Sequence, residues 1–308
     1  VAVSGVLGHQ LASGSPPSSS APRQLVIADP YDHTGTWYRG NLQVASARGI
    51  GRDLPSAIGQ WYAAGGNDFL GISDVNTYTW ISEYGSKKFT AVPVIDASYT
   101  FGDVLDIGDD QWHPASNLQQ VVDWVRRDDG LPVLAAPLSS SKPIDPAVLT
   151  GLHGLFGLEI YDARLALSGQ GDATRLWDRL LTAGKLVYAF AGDDALSIDD
   201  PAAGKAWLEV ESAAPDLDSL MSSLRAGMFY ATTGPRFTDI ALNGLAISVG
   251  TSPGTTVRFI GRNGTLLEAT AGPTASYRVR GTEGYVRIEA IADDGTRAWS
   301  QPLFLSWR

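Results

Sequence analysis

One feature constrains this chain more than any other: its pattern changes near Pro235. Upstream, short apolar runs at Leu25–Ala28, Phe69–Ser73, Ala91–Ile95, Pro132–Ala136, Leu158–Tyr161 and Val187–Ala191 read as buried parallel strands. A strand covered on both faces needs a continuous apolar run rather than an alternating one. Helical periods fall between them. Leu54, Ile58 and Trp61 mark a helix over Leu54–Ala64, and Leu118, Val121, Val122 and Val125 mark another over Asn117–Arg127. Ala173–Ala183 and Leu217–Ala226 follow the same 3.6-residue period. Asp172 stands where an N-cap belongs, and Gly184 and Gly227 stand where helices stop. Repeated βα units predict a closed or nearly closed α/β barrel.

Downstream, the runs Phe237–Leu242, Thr256–Ile260, Leu266–Thr270, Ser276–Arg280, Tyr285–Ile291 and Ala298–Phe304 are separated by Asn-Gly, Gly-Pro, Glu-Gly and Asp-Gly. These dipeptides favour tight turns, so the segment reads as a small all-β sandwich. The expected organisation is a Ser/Pro-rich tail or linker over 1–24, an α/β barrel over 25–235 and a β-sandwich over 236–308. The tail cannot bury enough apolar surface to order itself, which suggests a tether that docks on a partner protein.

Composition narrows the function. Of 308 residues 44% are hydrophobic and 18% charged, which is globular rather than disordered. No apolar run approaches about 18 residues, so no transmembrane helix is expected. A net charge of -10 argues against nucleic acid or anionic lipid as the main partner. The absence of Cys removes disulfides and thiolate sites, and four His leave little for a histidine-rich metal centre. The adjacent acids Asp109-Asp110, Asp128-Asp129, Asp199-Asp200 and Asp293-Asp294 read as solvated surface or turn residues. Neither a Gly-x-Ser-x-Gly nor a Gly-rich phosphate loop is present.

Six segments carry a resemblance. They are Tyr-Arg-Gly-Asn-Leu-Gln-Val-Ala from Tyr38, Asn-Asp-Phe-Leu-Gly-Ile-Ser-Asp-Val-Asn from Asn67, and Leu-Pro-Val-Leu-Ala-Ala-Pro from Leu131. Gly-Leu-Glu-Ile-Tyr-Asp from Gly157, Trp-Asp-Arg-Leu-Leu-Thr-Ala-Gly from Trp177 leading to Ala-Gly-Asp-Asp-Ala-Leu at 191–196, and Leu-Arg-Ala-Gly-Met-Phe-Tyr-Ala-Thr-Thr-Gly-Pro from Leu224 complete the set. In this order they resemble the PHP (polymerase and histidinol phosphatase) family, and most of all its secreted metallohydrolase branch with a β-sandwich tail. The resemblance covers residue 37 to the C-terminus. It implies a distorted (β/α)7 barrel whose strand ends hold two or three divalent metals, mostly through His, for ester hydrolysis.

The chain departs from that pattern where the chemistry would sit. Gln43 and Ala45 occupy the His-x-His positions, Val75 follows Asp74 where His is implied, Ala136 replaces the His of Ala-His-Pro, and Leu196 that of Asp-x-His. Four of these side chains offer no lone pair to a metal. Asp74, Asp96, Asp103 and Asp194 are left as candidates for one residual Ca²⁺ or Mg²⁺ ion, with Glu159 as an orienting residue. Trp61, Trp124 and Trp177 read as helix packing; Trp37, Trp80, Trp112, Trp299 and Trp307 stand near loops or strand ends, where exposed rings suit interfaces, with core burial the default for each taken singly.

The expected function is non-catalytic: a PHP-like protein with a degenerate metal site and no cofactor. It would act as a structural or binding subunit of an extracytoplasmic or cell-envelope assembly, through its tail and surface aromatics. Val1 in place of Met, the Ser/Pro stretch, the lack of Cys and the kind of relative all lean toward that location. One alternative is a metal-dependent phosphoesterase with a remodelled carboxylate site. Another is a small-molecule binder at a barrel mouth lined by Val75, Ala136 and Leu196.

Overall fold

The computed structural model describes residues 24–32 and 34–308. The tail expected over 1–24, and the docking expected of it, lie outside the described residues but for Gln24. The chain runs through β1 (Leu25–Ala28), β2 (Thr36–Asn41), α1 (Pro55–Ala64), β3 (Phe69–Leu70), β4 (Ser73–Val75), β5 (Thr90–Ala91), β6 (Val94–Tyr99) and β7 (Gly102–Ile107). Next come α2 (Leu118–Arg127), β8 (Leu131–Ala135), α3 (Pro146–Gly151), β9 (Gly157–Asp162), α4 (Ala163–Ala166), α5 (Thr174–Thr182), β10 (Tyr188–Gly192), β11 (Trp207–Ser212), α6 (Leu217–Ala226) and β12 (Phe229–Thr232). The β-rich remainder is β13 (Phe237–Asn243), β14 (Ala246–Thr251), β15 (Thr255–Gly261), β16 (Thr265–Ala271), β17 (Thr274–Arg278), β18 (Tyr285–Ala292), β19 (Arg297–Ser300) and β20 (Leu303–Trp307).

Local chemistry explains the helices. Leu118, Val121, Val122 and Val125 bury one face of α2, and the Asn117 side chain caps it by accepting from the Gln120 N–H. Asp216 caps α6 in the same way, and Gly227 ends it at φ +76°, a left-handed conformation that costs a residue with a Cβ about 1 kcal/mol. Asp172 is not the N-cap of α5; that position is Ala173. The Asp172 carboxylate still accepts from the Thr174 N–H at 3.0 Å, so it satisfies a first-turn donor from one residue further out.

The fold is mixed α/β. Among the described residues the strands form three sheets, and two of them combine parallel and antiparallel pairs. The order β10-β9-β8-β7-β6-β4 is parallel at β10–β9, β9–β8 and β6–β4 but antiparallel on both sides of β7. The longest sheet runs β1-β20-β18-β19-β12-β11-β2-β3-β5, with β15 and β16 branching from β18. It therefore joins βα and hairpin segments in one hydrogen-bonded surface.

Several sequence expectations change here. Leu25–Ala28 is not a buried parallel strand: it pairs antiparallel with β20 and is half-buried. A four-residue apolar run records that burial is favourable, not which sheet supplies it. Ala91–Ile95 divides between β5 and β6, which lie in different sheets. Ala298–Phe304 divides into β19 and β20, because Gln301-Pro302 interrupts the ladder and Pro has no N–H to donate. Strand β14 was not expected. It pairs with both β13 and β17, and its alternation of half-buried and buried residues is the signature of a strand with one covered face.

The two parts are stitched by buried polar contacts. The Gln301 side chain accepts from the Ala189 N–H at 2.7 Å and donates to the Ala189 carbonyl at 2.9 Å, acting as one rung beside β10. The Tyr31 hydroxyl donates to the Phe229 carbonyl and accepts from the Gln301 N–H. Arg287 of β18 donates Nε and Nη2 to Asp178 of α5, both at 2.8 Å, and Nη1 to Glu289 at 2.6 Å. Tyr285 also donates to Asp178, and the guanidinium lies 5.0 Å over the Trp177 ring. Trp177 and Trp299 are fully buried, whereas Trp61, Trp80, Trp112 and Trp307 are exposed. Trp61 thus corrects its reading as helix packing, whereas Trp299 takes the core burial that is the default for a single ring.

Removing one member of a buried ion network leaves uncompensated charge, which costs about 3–5 kcal/mol. Arg287→Ala is expected to lower the urea unfolding free energy by that amount. Arg48→Ala, which breaks the exposed Arg48–Glu83 pair, is expected to change it by less than about 1 kcal/mol.

Candidate functional site

Strand ends bring the motif segments together. Val44 bridges Ala195 in parallel. The Ala45 N–H donates to the Ala195 carbonyl, the Asp194 N–H to the Gln43 carbonyl, and the Ser73 N–H to the Val44 carbonyl. The Asn76 N–H reaches the Asp96 carbonyl, so four distant segments meet at one end of the sheets. Three non-glycine residues there, Asn76, Ala136 and Asp194, hold positive φ of +52°, +43° and +51°. Such backbone is strained and persists only where surrounding contacts fix it.

Each candidate carboxylate has a definite environment. Asp74 is fully buried and set apart. Its oxygens accept from the Ser46 N–H at 2.7 Å and from the Ser46 and Thr79 hydroxyls at 2.5 Å. Asp103 accepts from Lys142 Nζ at 2.5 Å, and the same ammonium donates to Ser98 Oγ at 2.6 Å. Asp194 is paired with Arg164, whose Nε donates to the Asp194 carbonyl at 2.8 Å and to Oδ2 at 2.9 Å; Nη2 reaches the same oxygen. Burial pushes the Asp96 carboxyl well above its usual range, the charges of Asp103 and Asp194 add to this, and Lys142 and Arg164 oppose it. The structure therefore brings Asp96, Asp103 and Asp194 into one electrostatic cluster, while the Asp74 oxygens are taken up by Ser46 and Thr79.

Glu159 is the hub of the second half. Its Oε2 accepts from the Ala136 N–H at 2.7 Å and the Gln43 amide at 3.4 Å, which explains why the left-handed turn at Ala136 is held. Burial raises its pKa well above normal, and nearby Asp162 raises it further. Ala45 is buried; Val75 and Leu196 are half-buried. The Leu196 N–H is taken by Asp200 and its carbonyl by Arg52. At this end, among the described residues, four buried acceptor oxygens have no hydrogen-bond partner: Gln43 Oε1, Asp96 Oδ1, Glu159 Oε1 and Asp162 Oδ2.

The residues that sequence reasoning missed are Lys142, Arg164 and Asp162. Their signal was faint: a lone basic side chain after each of two motif strands, Lys142 in the loop after β8 and Arg164 in α4, and an acid, Asp162, that ends β9. Their effect is decisive. The cations that balance this cluster belong to the chain itself. The set fits poorly with the divalent ions that the family resemblance implies, because Ala45, Val75, Ala136 and Leu196 offer no ligand and the best-placed carboxylates already hold Arg164 and Lys142.

Burial, with the Asp194 charge adding, pushes the Asp162 carboxyl up to about 7. An unfolded Asp ionises near 3.9, so between these values the folded state holds an extra proton and stability falls as pH rises. Each such group contributes a slope of about 1.4 kcal/mol per pH unit. Asp162→Asn keeps an acceptor for the Leu165 N–H that caps α4 and is expected to flatten the decline in urea stability between pH 5 and 7 by roughly that slope.

No protein-family model matches the sequence, and no curated protein matches it. A solved structure from Bacteroides vulgatus does. It is a two-domain protein described as containing a predicted PHP-like metal-dependent phosphoesterase, 9% identical, with a TM-score of 0.53 over 95% of this chain and 100% of that one. At that identity the likeness concerns the fold alone: this chain resembles that two-domain structure in its architecture.

Proposed function

We propose that this protein is a non-catalytic PHP-like protein, a degenerate member of a metal-dependent hydrolase lineage, acting as a structural or binding subunit of an extracytoplasmic or cell-envelope assembly. In this reading its two parts are a distorted (β/α)7 PHP-type barrel and a β-sandwich. The observation that carries it is the seating of Lys142 and Arg164 among Asp103 and Asp194. A guanidinium and an ammonium fixed on the carboxylates do electrostatically what a metal would do, without its open coordination positions.

Exposed apolar residues support a binding role. Ile50 follows β2, Trp80 follows β4 and Leu138 follows β8 in loops that leave strand ends, and Leu167 ends α4. Such side chains suit a protein partner, and the net charge of -10 disfavours nucleic acid. The Ser/Pro-rich stretch near the start suits the tether of such an assembly.

A second reading has its own observation. The unpartnered oxygens of Asp96, Glu159 and Asp162 suit a metal-dependent phosphoesterase whose site was rebuilt from carboxylates, around one Ca²⁺ or Mg²⁺ ion. Hydrolysis of bis-p-nitrophenyl phosphate, assayed with Mn²⁺, Zn²⁺, Mg²⁺ or Ca²⁺, separates the two. The non-catalytic reading expects no turnover above that of the Asp96→Asn/Asp194→Asn double variant. Turnover that this variant abolishes would establish the phosphoesterase. Natively purified protein is also expected in a larger particle, and Trp80→Ser with Leu167→Ser is expected to return it to the size of the free chain.

A further inference from the structure

The end of the α/β part opposite the strand-end cluster holds a second group of metal-competent side chains. Strand β7 begins at the motif end with Asp103 opposite Ala135 and runs antiparallel to β8, so Asp106 and the loop after it lie at the far end. There, one ligand atom each of Asp109, His113 and Asp128 lies within 4.8 Å of the others. His113 Nε2 is 2.9 Å from Asp128 Oδ2. We propose that Asp109, His113 and Asp128, backed by Asp106, form a site for one divalent transition-metal ion such as Zn²⁺ or Mn²⁺.

The independent observation is Asp106. It is 2% exposed, and its Oδ1 has no hydrogen-bond partner. That oxygen faces the 128–130 turn so closely that a Cβ on Gly130 would lie 2.4 Å from it. Asp109 Oδ2 is likewise buried and unpartnered, while Oδ1 accepts from the Asp110 N–H. Buried unpartnered acceptors cost free energy unless something binds them. The charges facing Asp106 are those of Asp109 and Asp128, and both repel it. Asp128 is also the C-cap of α2, where the helix end is already negative. A cation held between Asp109 and Asp128 would relieve this repulsion and the negative end of α2 together.

The present counter-charge is Arg127, which donates Nε and Nη2 to Asp128 at 3.0 and 2.9 Å and lies 4.6 Å over Trp124. Its side chain is 55% exposed and can turn to solvent. His113 is better fixed: its ring stacks on Trp124 at 5.2 Å and its carbonyl accepts from the Tyr99 hydroxyl. Ligand atoms on one tetrahedral Zn²⁺, at about 2.0–2.2 Å each, lie roughly 3.3–3.6 Å apart. Atoms within 4.8 Å of one another reach that spacing by shifts of about 1 Å per pair. An imidazole in the set favours transition metals over Ca²⁺ or Mg²⁺.

Calorimetry of the full chain with Zn²⁺ or Mn²⁺ tests this. One ion per chain is expected, with affinity reduced at least about tenfold by His113→Ala and by Asp128→Asn. Arg127→Ala is expected to tighten binding several-fold, since it removes the competing cation, which a purely structural role would not do. Co²⁺ absorption bands are expected in the parent chain and absent from His113→Gln, a variant for use should His113→Ala not fold. The Asp96→Asn/Asp194→Asn variant is expected to bind as the parent does. No stoichiometric uptake, uptake indifferent to both His113 variants, or uptake abolished by the strand-end variant would overturn the site.

Discussion

The structure depends most on the buried ion network in which Arg287 of β18 grips Asp178 of α5 and Glu289 of its own strand. Three charged groups have been taken from water there, at a cost of several kcal/mol each before pairing. That cost is tolerated because every guanidinium nitrogen has an acceptor, Tyr285 adds a donor to Asp178, and Trp177 covers the plane. Burial pushes the Tyr285 hydroxyl up, and the charge of Asp178 adds to this, so it stays a donor at neutral pH. Directional bonds of this kind fix how the helix sits on the β-rich part. Gln301 against Ala189 and Tyr31 against Phe229 repeat the device at other points. Tyr285 and Trp299, both from the hairpin half, lie within the same apolar core as the βα half.

The strand-end cluster obeys the same rule with a different outcome. Carboxylates packed together must lose charge or gain cations. Here Arg164 and Lys142 supply cations to Asp194 and Asp103, while Asp96, Glu159 and Asp162 shift upward and hold their protons more tightly. Asp193, next in the chain, takes a third course: buried, it is satisfied by Tyr62 and by the N–H groups of Gly204, Lys205 and Ala206. These solutions leave a rigid polar floor. The strained turns at Asn76, Ala136 and Asp194 are held by bonds to this floor.

Much of this was legible beforehand. The periods of α2, α5 and α6, and the turn dipeptides of the hairpin half, report local preference and the burial of one face; that of α1 gave the helix but not its covered face, since Leu54 and Trp61 are exposed. Both kinds of signal are properties of consecutive residues, so they survive in the sequence. The apolar replacements at Ala45, Val75, Ala136 and Leu196 were equally legible, since a side chain without a lone pair carries that fact in its identity. Leu25–Ala28 pairs elsewhere than expected because an apolar run does not name its partner, and Trp61 is exposed despite its helical period because a ring's burial depends on what covers it.

The sequence by itself determined the alternation of elements, the change to hairpins near Pro235 and the missing imidazoles. Tertiary structure alone decided which charges meet. Lys142 lies 39 residues from Asp103, Arg164 30 from Asp194, and Arg287 109 from Asp178. His113 reaches Asp128 only because the loop after β7 folds back on the end of α2. Coulomb energy depends on distance in space and on local dielectric, and neither is a property of position along the chain.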